Sequence, residues 1–123
     1  MTRPGQYNFL IVQAATFRLM WTWMEGDAPV DLSGCTAELV IDKITRSSVV
    51  PYTRLERALT LTDSDAITLG GAEGTILIEL SAEQTVDLDW DDAVYDLYIT
   101  FISGDVVRLL SGHVLLDRRL APA

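Results

Sequence analysis

The sequence contains one cysteine, one histidine and four prolines among its 123 residues. Because Cys35 is alone, no intramolecular disulfide can form, and we expect a fold that does not depend on an oxidising compartment. His113 has Ser111 as its nearest hydroxyl along the chain, but neighbouring strand positions point to different faces. A catalytic base needs a nucleophile and an orienting group held against it. We therefore expect no enzyme, no cofactor and no metal ligands.

Basic residues are also scarce, since nine lysines and arginines face eighteen aspartates and glutamates, for a formal charge of −9. A field of this sign repels nucleic-acid phosphates and anionic membrane surfaces. No apolar run approaches the ~20 residues of a membrane span, and residues 1–5 lack the basic-then-apolar layout of a signal peptide. We expect no nucleic-acid partner, no membrane partner and assembly in the cytoplasm.

The sequence is rich in alternating apolar and polar residues, in runs at 7–11, 17–23, 37–41, 76–80 and 95–101. This period of two is typical of strands with one buried face. Turn residues recur about every ten positions, which predicts an all-β, immunoglobulin-like antiparallel β-sandwich of about seven to nine short strands. Ser81 and Gln84 have the spacing of a capping box and predict at most one short helical turn. We expect one domain over residues 1–123, with short terminal tails.

The middle of the chain gives weaker signals. Residues 44–48 have mixed polarity and are interpreted as a hairpin connection, after which 49–52 pair back at a sheet edge because Pro51 cannot donate to a ladder. Residues 54–62 fit both a helical stripe and a strand, and we favour an irregular segment that becomes a strand.

Two features of the closing strands suggest local structure. Gly112 interrupts the last strand and is interpreted as a bulge. Either Tyr95 or Tyr98 could form a tyrosine corner, in which the hydroxyl of a late-strand tyrosine is tied back to the backbone. The inner sheet faces are expected to carry Phe17, Trp21, Leu97 and Ile99.

The densest cluster of large apolar side chains comprises Met20, Trp21, Trp23 and Met24. The period of a strand places Trp21 and Trp23 on one face, where we expect them in the core. Met20 and Met24 then share the opposite face. That face is either an exposed patch for association or a second buried face.

A small basic feature stands out in this acidic chain, formed by Arg108, Arg118 and Arg119. Two interpretations remain open. The three arginines are either solvated, or they form ion pairs with an acidic neighbouring subunit.

The acidic segment 87–92 has the D-x-D-x-D spacing that opens a calcium loop. The pattern fails where the loop needs Gly and Glu, because those positions hold Asp92 and Tyr98. A solvated turn is the simpler interpretation, with a looser cation site that includes Asp96 as the alternative. The glycines at 70, 71 and 74 fit a tight turn rather than a phosphate cradle, since no Lys-Ser/Thr follows.

The order of short motifs carries a resemblance. The link Val30-Asp31-Leu32-Ser33-Gly34 leads into the third strand, and a Gly104-x-Val106-x-Arg108-Leu109 segment forms the last hairpin. Together with Gly5-x-Tyr7-x-Phe9, this layout is similar to the immunoglobulin-like N-terminal domain of tailed-phage baseplate upper proteins. The chain departs from that family by stopping after the sandwich, without a fibre- or receptor-bearing extension.

The resemblance implies a non-enzymatic virion subunit of the tail, baseplate or tail-fibre attachment region. Its partners would be other virion structural proteins and further copies of itself, as a homo-oligomer or a symmetric ring. Residues up to 12 and from 117 onward are the segments expected to reach a neighbour. Capsid decoration is an alternative. A different class is a carbohydrate-binding module that presents Trp21, Trp23 or Trp90 to a sugar.

Overall fold

The computed structural model describes residues 5–46 and 53–118, and eleven strands lie within them. One five-residue helix, α1 (Ala82–Val86), and one 3-10 turn (Gly71–Glu73) complete the regular structure of this part of the chain. In chain order the strands are β1 (Gly5–Gln6), β2 (Phe9–Val12), β3 (Phe17–Thr22), β4 (Met24–Glu25), β5 (Ala28–Pro29), β6 (Thr36–Arg46), β7 (Thr53–Thr62), β8 (Ile67–Leu69), β9 (Thr75–Leu80), β10 (Asp92–Thr100) and β11 (Val106–Asp117).

The strands form two main sheets and a small hairpin. The larger sheet has the order β1-β11-β10-β6-β7, with β2 also paired to β11, and the smaller has the order β3-β9-β8. The hairpin consists of β4 and β5. Alternation decides which side chains enter the core. Every second side chain of β10 exposes at most 1% of its surface, namely Ala93, Tyr95, Leu97 and Ile99. Their sequence neighbours are half-exposed on the outer face.

This arrangement confirms the predicted all-β, immunoglobulin-like sandwich. Strands β3, β9 and β8 form one layer, while β6, β10 and β11 form the other and β7 extends it beside β6, as in variable-type immunoglobulin domains. The strand count exceeds seven to nine because β1, β4 and β5 have only two residues each. Within the described residues no helix has the length and hydrophobicity needed to cross a membrane.

The predicted helical turn is present and capped as expected. Ser81 accepts a hydrogen bond from the backbone N–H of Gln84, whose side chain accepts one from the Ser81 N–H. This reciprocal pair satisfies two donors that a helix start would otherwise leave open. The buried Thr85 hydroxyl then donates to the carbonyls of Ala15 and Ala82, at 2.9 and 3.1 Å, and so ties the helix to the link before β3.

The middle of the chain differs from the prediction. Residues 44–46 continue β6 instead of starting a hairpin connection. The reason is that β7 pairs with β6 from Glu38↔Thr62 as far as Arg46↔Thr53, and so includes these three residues. The strand option for 54–62 is confirmed, as part of β7, whose pairing with β6 shifts once, at Ala58. The predicted pairing of 49–52 lies outside the described residues.

Gly112 is not a bulge. The register of β10 with β11 shifts at Leu109, which is the extra residue between the pairs Leu97↔Leu110 and Tyr98↔Arg108. Gly112 instead accommodates a close backbone approach, since a Cβ at this position would lie 2.2 Å from the Tyr7 carbonyl oxygen. We call β1, β2 and the residues between them (5–12) the N-terminal arm. It runs parallel to β11, whereas the other strand pairs among residues 5–46 and 53–118 are antiparallel.

Tyr95 supplies the buried tyrosine hydroxyl that was expected, but not at a tyrosine corner. Its hydroxyl donates to the Tyr7 carbonyl at 2.6 Å, 88 residues upstream, and not to backbone near its own corner. Tyr98 lies on the outer face of the same strand. The bond therefore fastens the N-terminal arm to β10, across the intervening strand β11. The Tyr7 carbonyl that accepts it is the one that lies close to Gly112.

The link that carries the resemblance is a structural turn. The Ser33 backbone N–H donates to Asp31 Oδ1 at 2.9 Å, and hydrogen bonds from the Ser33 side chain and backbone lower the pKa of Asp31. Leu32 is buried in the core, and Gly34 has a φ of 76°, a conformation that favours glycine. The motif thus encodes the entry into β6.

Alkaline pH should weaken the fold through Tyr95. Burial is the main cause that raises the pKa of this phenol, with smaller contributions from the charges of Tyr7 and Asp96. An unfolded tyrosine titrates near pH 10, so its stabilising contribution is complete below about pH 10 and is lost as pH rises above that value. Urea unfolding between pH 8 and 11 should show this loss in the native chain, reduced in Tyr95→Phe and unchanged in Tyr98→Phe. Equal losses in the native chain and Tyr95→Phe would contradict it.

Candidate interaction surface

The chemically versatile side chains do not converge. Within residues 5–46 and 53–118, no group of three or more His, Cys, Asp or Glu side chains could hold a metal ion. His113 is exposed, and its backbone N–H donates to Asn8 Oδ1. Cys35 is half-buried, and burial, followed by the charge of Asp31, raises the pKa of its thiol. A thiol of raised pKa is a poor nucleophile at neutral pH.

The acidic segment lends no support to a cation site. Asp91 Oδ1 accepts a hydrogen bond from Arg118 at 3.2 Å. Trp90, which we considered as a sugar platform, is only 4% exposed. Its side chain is covered by protein, so within the carbohydrate-binding alternative Trp90 is not available as a platform for a sugar.

An apolar groove of about 380 Å³ is present on one side of the sandwich. It lies where the edge strand β3 of the smaller sheet faces β1 and β11 of the larger sheet. We call it the tryptophan groove. Its lining residues are Gly5, Trp21, Thr22, Trp23, Met24, Leu109 and Leu110.

The bulge in β11 builds one wall of the groove. In a regular strand, consecutive residues point to opposite faces, so Leu109 and Leu110 could not both line one cavity. The extra residue at Leu109 breaks this alternation, and a bulge redirects a side chain in this way. Both leucines are half-buried in the groove. Gly5 lets the arm approach, because a Cβ there would lie 3.0 Å from Leu110 Cδ2.

An aromatic cluster fixes the opposite wall. The Trp21 ring contacts Tyr7 edge-on, with centroids 5.7 Å apart, and Phe9 at 6.4 Å. Phe9 in turn packs on Phe17 and Tyr95, at 5.4 and 4.9 Å. Such contacts hold Trp21 in one position. Its Nε1–H is buried without a hydrogen-bond partner, an unsatisfied donor beside the groove.

The two tryptophans pack against the core, where the sequence predicted them, but they are only half-buried. The reason is the width of the smaller sheet. With three strands in that sheet, β3 is an edge strand, and its inward side lies partly over the open flank of the sandwich. One sequence signal for the groove is the adjacent pair Leu109 and Leu110, which interrupts the alternation of β11.

Met20 and Met24 are exposed as the association-patch hypothesis required, at 59% and 47%, but they lie on different surfaces. Met24 follows the end of β3 and lines the tryptophan groove. Met20 lies on the outer face of the smaller sheet, opposite Leu77 and beside the Arg18–Glu79 ion pair. The predicted single methionine patch is therefore two separate sites.

The basic side chains pair within the chain. Arg108 lies 3.8 Å from Asp96, and Arg118 lies 3.2 Å from Asp91, while Arg119 lies outside the described residues. Exposed pairs of this kind contribute only about 0–1 kcal/mol. An arginine that left its aspartate for a carboxylate on a neighbouring subunit would therefore lose little free energy. The predicted ion pairs with a neighbouring subunit stay a prediction.

Comparison with known proteins assigns no family. No protein-family model matches the sequence, and no curated protein matches it. Among solved structures, the chain is similar to the extracellular domain of a voltage-gated sodium channel β4 subunit, described as a parallel homodimer in cell–cell adhesion. The identity is 13%, the coverage 95% of each chain and the TM-score 0.41.

A second similar structure comes from work on multimeric cell-adhesive interactions of sodium channel β subunits. Its identity is 12%, its coverage 97% of this chain and 98% of the other, and its TM-score 0.43. Values at this level transfer neither function nor partner. The chain is an immunoglobulin-like sandwich with an apolar groove on one side.

Proposed function

We propose that this chain is a non-enzymatic structural subunit of a tailed-phage virion, in the tail, baseplate or tail-fibre attachment region, and acts through protein–protein contacts. The resemblance of the ordered motifs to those of baseplate upper proteins motivates the virion assignment. The tryptophan groove is the observation that supports a role in contacts. Large aromatic and Met side chains are the residues that dominate protein interfaces.

The groove suits a docking role because one of its walls is held in place by ring contacts. The aromatic cluster packs against Trp21, so that this side chain needs little ordering when a partner binds. In a symmetric particle each weak contact is repeated, which raises the overall affinity. The subunit needs no catalytic chemistry for this task.

Mass spectrometry of purified virions tests the assignment. We expect the chain to be present at a fixed ratio to a known tail protein. Its position in a particle reconstruction then separates a tail or baseplate location from capsid decoration, the alternative role. If the chain is absent from purified virions, the proposed function fails.

The groove itself is tested by a matched pair of methionine variants. Met24→Glu places a carboxylate where a partner would exclude water, and an unpaired buried charge is costly. We expect at least about tenfold less Met24→Glu than native chain in assembled particles. Met20→Glu makes the same change on the outer face of the smaller sheet and should be incorporated to within about twofold of the native chain.

Urea unfolding of both variants controls for folding. Normal incorporation of a folded Met24→Glu variant would show that the groove is not the contact surface, even if the chain is a virion protein. Binding of the native chain to a glycan array, with no incorporation of that chain into virions, would favour the carbohydrate-binding alternative.

A further inference from the structure

The N-terminal arm joins the rest of the chain through a strained link. Residues 13–16 carry the chain from β2, paired in the larger sheet, to β3 in the smaller one. Within this link Ala14 has a φ of 68°, and it is the one non-glycine residue in the described part of the chain with a positive φ. A Cβ makes this left-handed conformation unfavourable, so it is uncommon outside glycine.

The neighbours of Ala14 are anchored on both sides. Gln13 Nε2 donates to the carbonyls of Val86 and Leu88, at 3.1 and 2.9 Å. The carbonyl of Ala15 accepts from the Thr85 hydroxyl at 2.9 Å. Ala14 itself is exposed. The strain is thus concentrated in one residue between two fixed points, and the surrounding contacts impose it.

The arm is a separable element. Both of its strands pair with β11 and with no other strand of the described chain. It supplies Ile11, which is completely buried, and the carbonyl that receives the Tyr95 hydroxyl. The contacts of the arm with the body would be identical if the arm came from a second copy, because each copy offers the same vacated site.

We propose that two copies of this chain exchange their N-terminal arms, with the exchange point at Ala14. In the exchanged dimer each arm lies on β11 of the partner, while the link between Gln13 and Ala15 extends across to it. Ala14 then leaves the left-handed conformation, whereas the buried contacts of the arm are all remade. Short links under strain favour such exchange. This inference goes beyond the proposed function, since it requires only two copies of the chain.

A disulfide between the arm and β11 reports the exchange directly. Leu10 and Leu115 are register partners in neighbouring strands, and both are about half exposed. Paired strands bring such positions to the separation that a disulfide spans. In a Cys35→Ser background, Leu10→Cys and Leu115→Cys, oxidised with glutathione disulfide, should link the arm to its own β11 in the closed monomer. In the exchanged dimer the same cysteines link two chains.

Non-reducing electrophoresis across a range of chain concentrations gives the readout. We expect a covalent dimer whose fraction rises with concentration during refolding. A monomeric band at every concentration would overturn the proposal. A side-by-side dimer seen by sedimentation, with only intramolecular disulfides, would overturn it as well.

Two substitutions at Ala14 shift the equilibrium in opposite directions. Ala14→Gly removes the strain from the closed form and should raise the dimer dissociation constant by about tenfold or more. Ala14→Pro cannot adopt a positive φ and should yield an almost entirely cross-linked dimer. A folded, monomeric Ala14→Pro chain contradicts exchange at this residue. If Ala14→Pro does not fold, the test rests on Ala14→Gly, and an unchanged dimer fraction in that variant contradicts exchange at this residue.

Discussion

Replacing Leu97 with alanine is expected to lower the free energy of unfolding by about 3–4 kcal/mol, since removal of a fully buried leucine leaves a cavity as well as losing apolar burial. Leu97 is completely buried on the inner face of β10, beside its register partner Leu39. It lies in the central part of the larger sheet, where neighbouring strands limit collapse around the cavity. Urea unfolding monitored by tryptophan fluorescence measures the change.

The matched control is Leu115→Ala, the same chemical change on the outer face of the adjoining strand. Leu115 is 53% exposed, and we expect its loss to cost no more than about 1 kcal/mol. Equal effects of the two substitutions would mean that the inner and outer faces of the larger sheet are wrongly assigned.

Gly112→Ala should destabilise the chain by about 3 kcal/mol through a backbone clash. The new Cβ would lie 2.2 Å from the Tyr7 carbonyl oxygen, and a backbone atom cannot rotate away as a flexible side chain can. The arm must therefore shift, which weakens the Tyr95–Tyr7 bond and the backbone bond from Tyr7 N–H to Ser111. Hydrogen exchange should accelerate at the Tyr7 amide and stay slow at Leu97.

Gly26→Ala separates this clash from the general cost of losing a glycine. Gly26 has a φ of 64° but no atom near its Cβ position, so only conformational strain of about 1 kcal/mol is expected. If Gly112→Ala costs no more than Gly26→Ala, and the arm amides stay protected, then the close approach of Tyr7 does not constrain position 112.

The sequence was most informative where strands alternate without interruption, as β10 does. Segment 54–62 was ambiguous for a physical reason. Its pairing with β6 shifts between Ile41↔Leu59 and Asp42↔Arg57, which makes Ala58 an extra residue. The shift moves Leu55 to one face of the sheet and Leu59 to the other, so the period of two disappears from the sequence. The continuation of β6 through residues 44–46 was missed because these residues have no clear alternation. Their strand conformation comes from pairing with β7, which the local sequence does not show.

The candidate interaction surface could be predicted only in part. Local periodicity placed Met20 and Met24 opposite the tryptophans, and both are exposed. It could not show that β3 is an edge strand or that Leu109 faces the same groove as Trp21, because both depend on which strands are neighbours across the sandwich. The ion pairs Arg108–Asp96 and Arg118–Asp91 could not be predicted either, because they too depend on which segments are neighbours in the fold. The same alternation of apolar and polar residues occurs in an edge strand and in a central strand, so it does not show how many strands a sheet has.

The parallel pairing of the arm with β11 has a mechanical consequence. Gly5 pairs with Leu110 and Val12 with Asp117, so the two strands run in the same direction along most of their shared length. Tension applied between residues 5 and 118 would slide these strands past each other lengthwise. The ladder hydrogen bonds would then bear the load together in shear, whereas an antiparallel hairpin pulled from its open end yields one bond at a time. A sandwich built this way resists extension between these two ends.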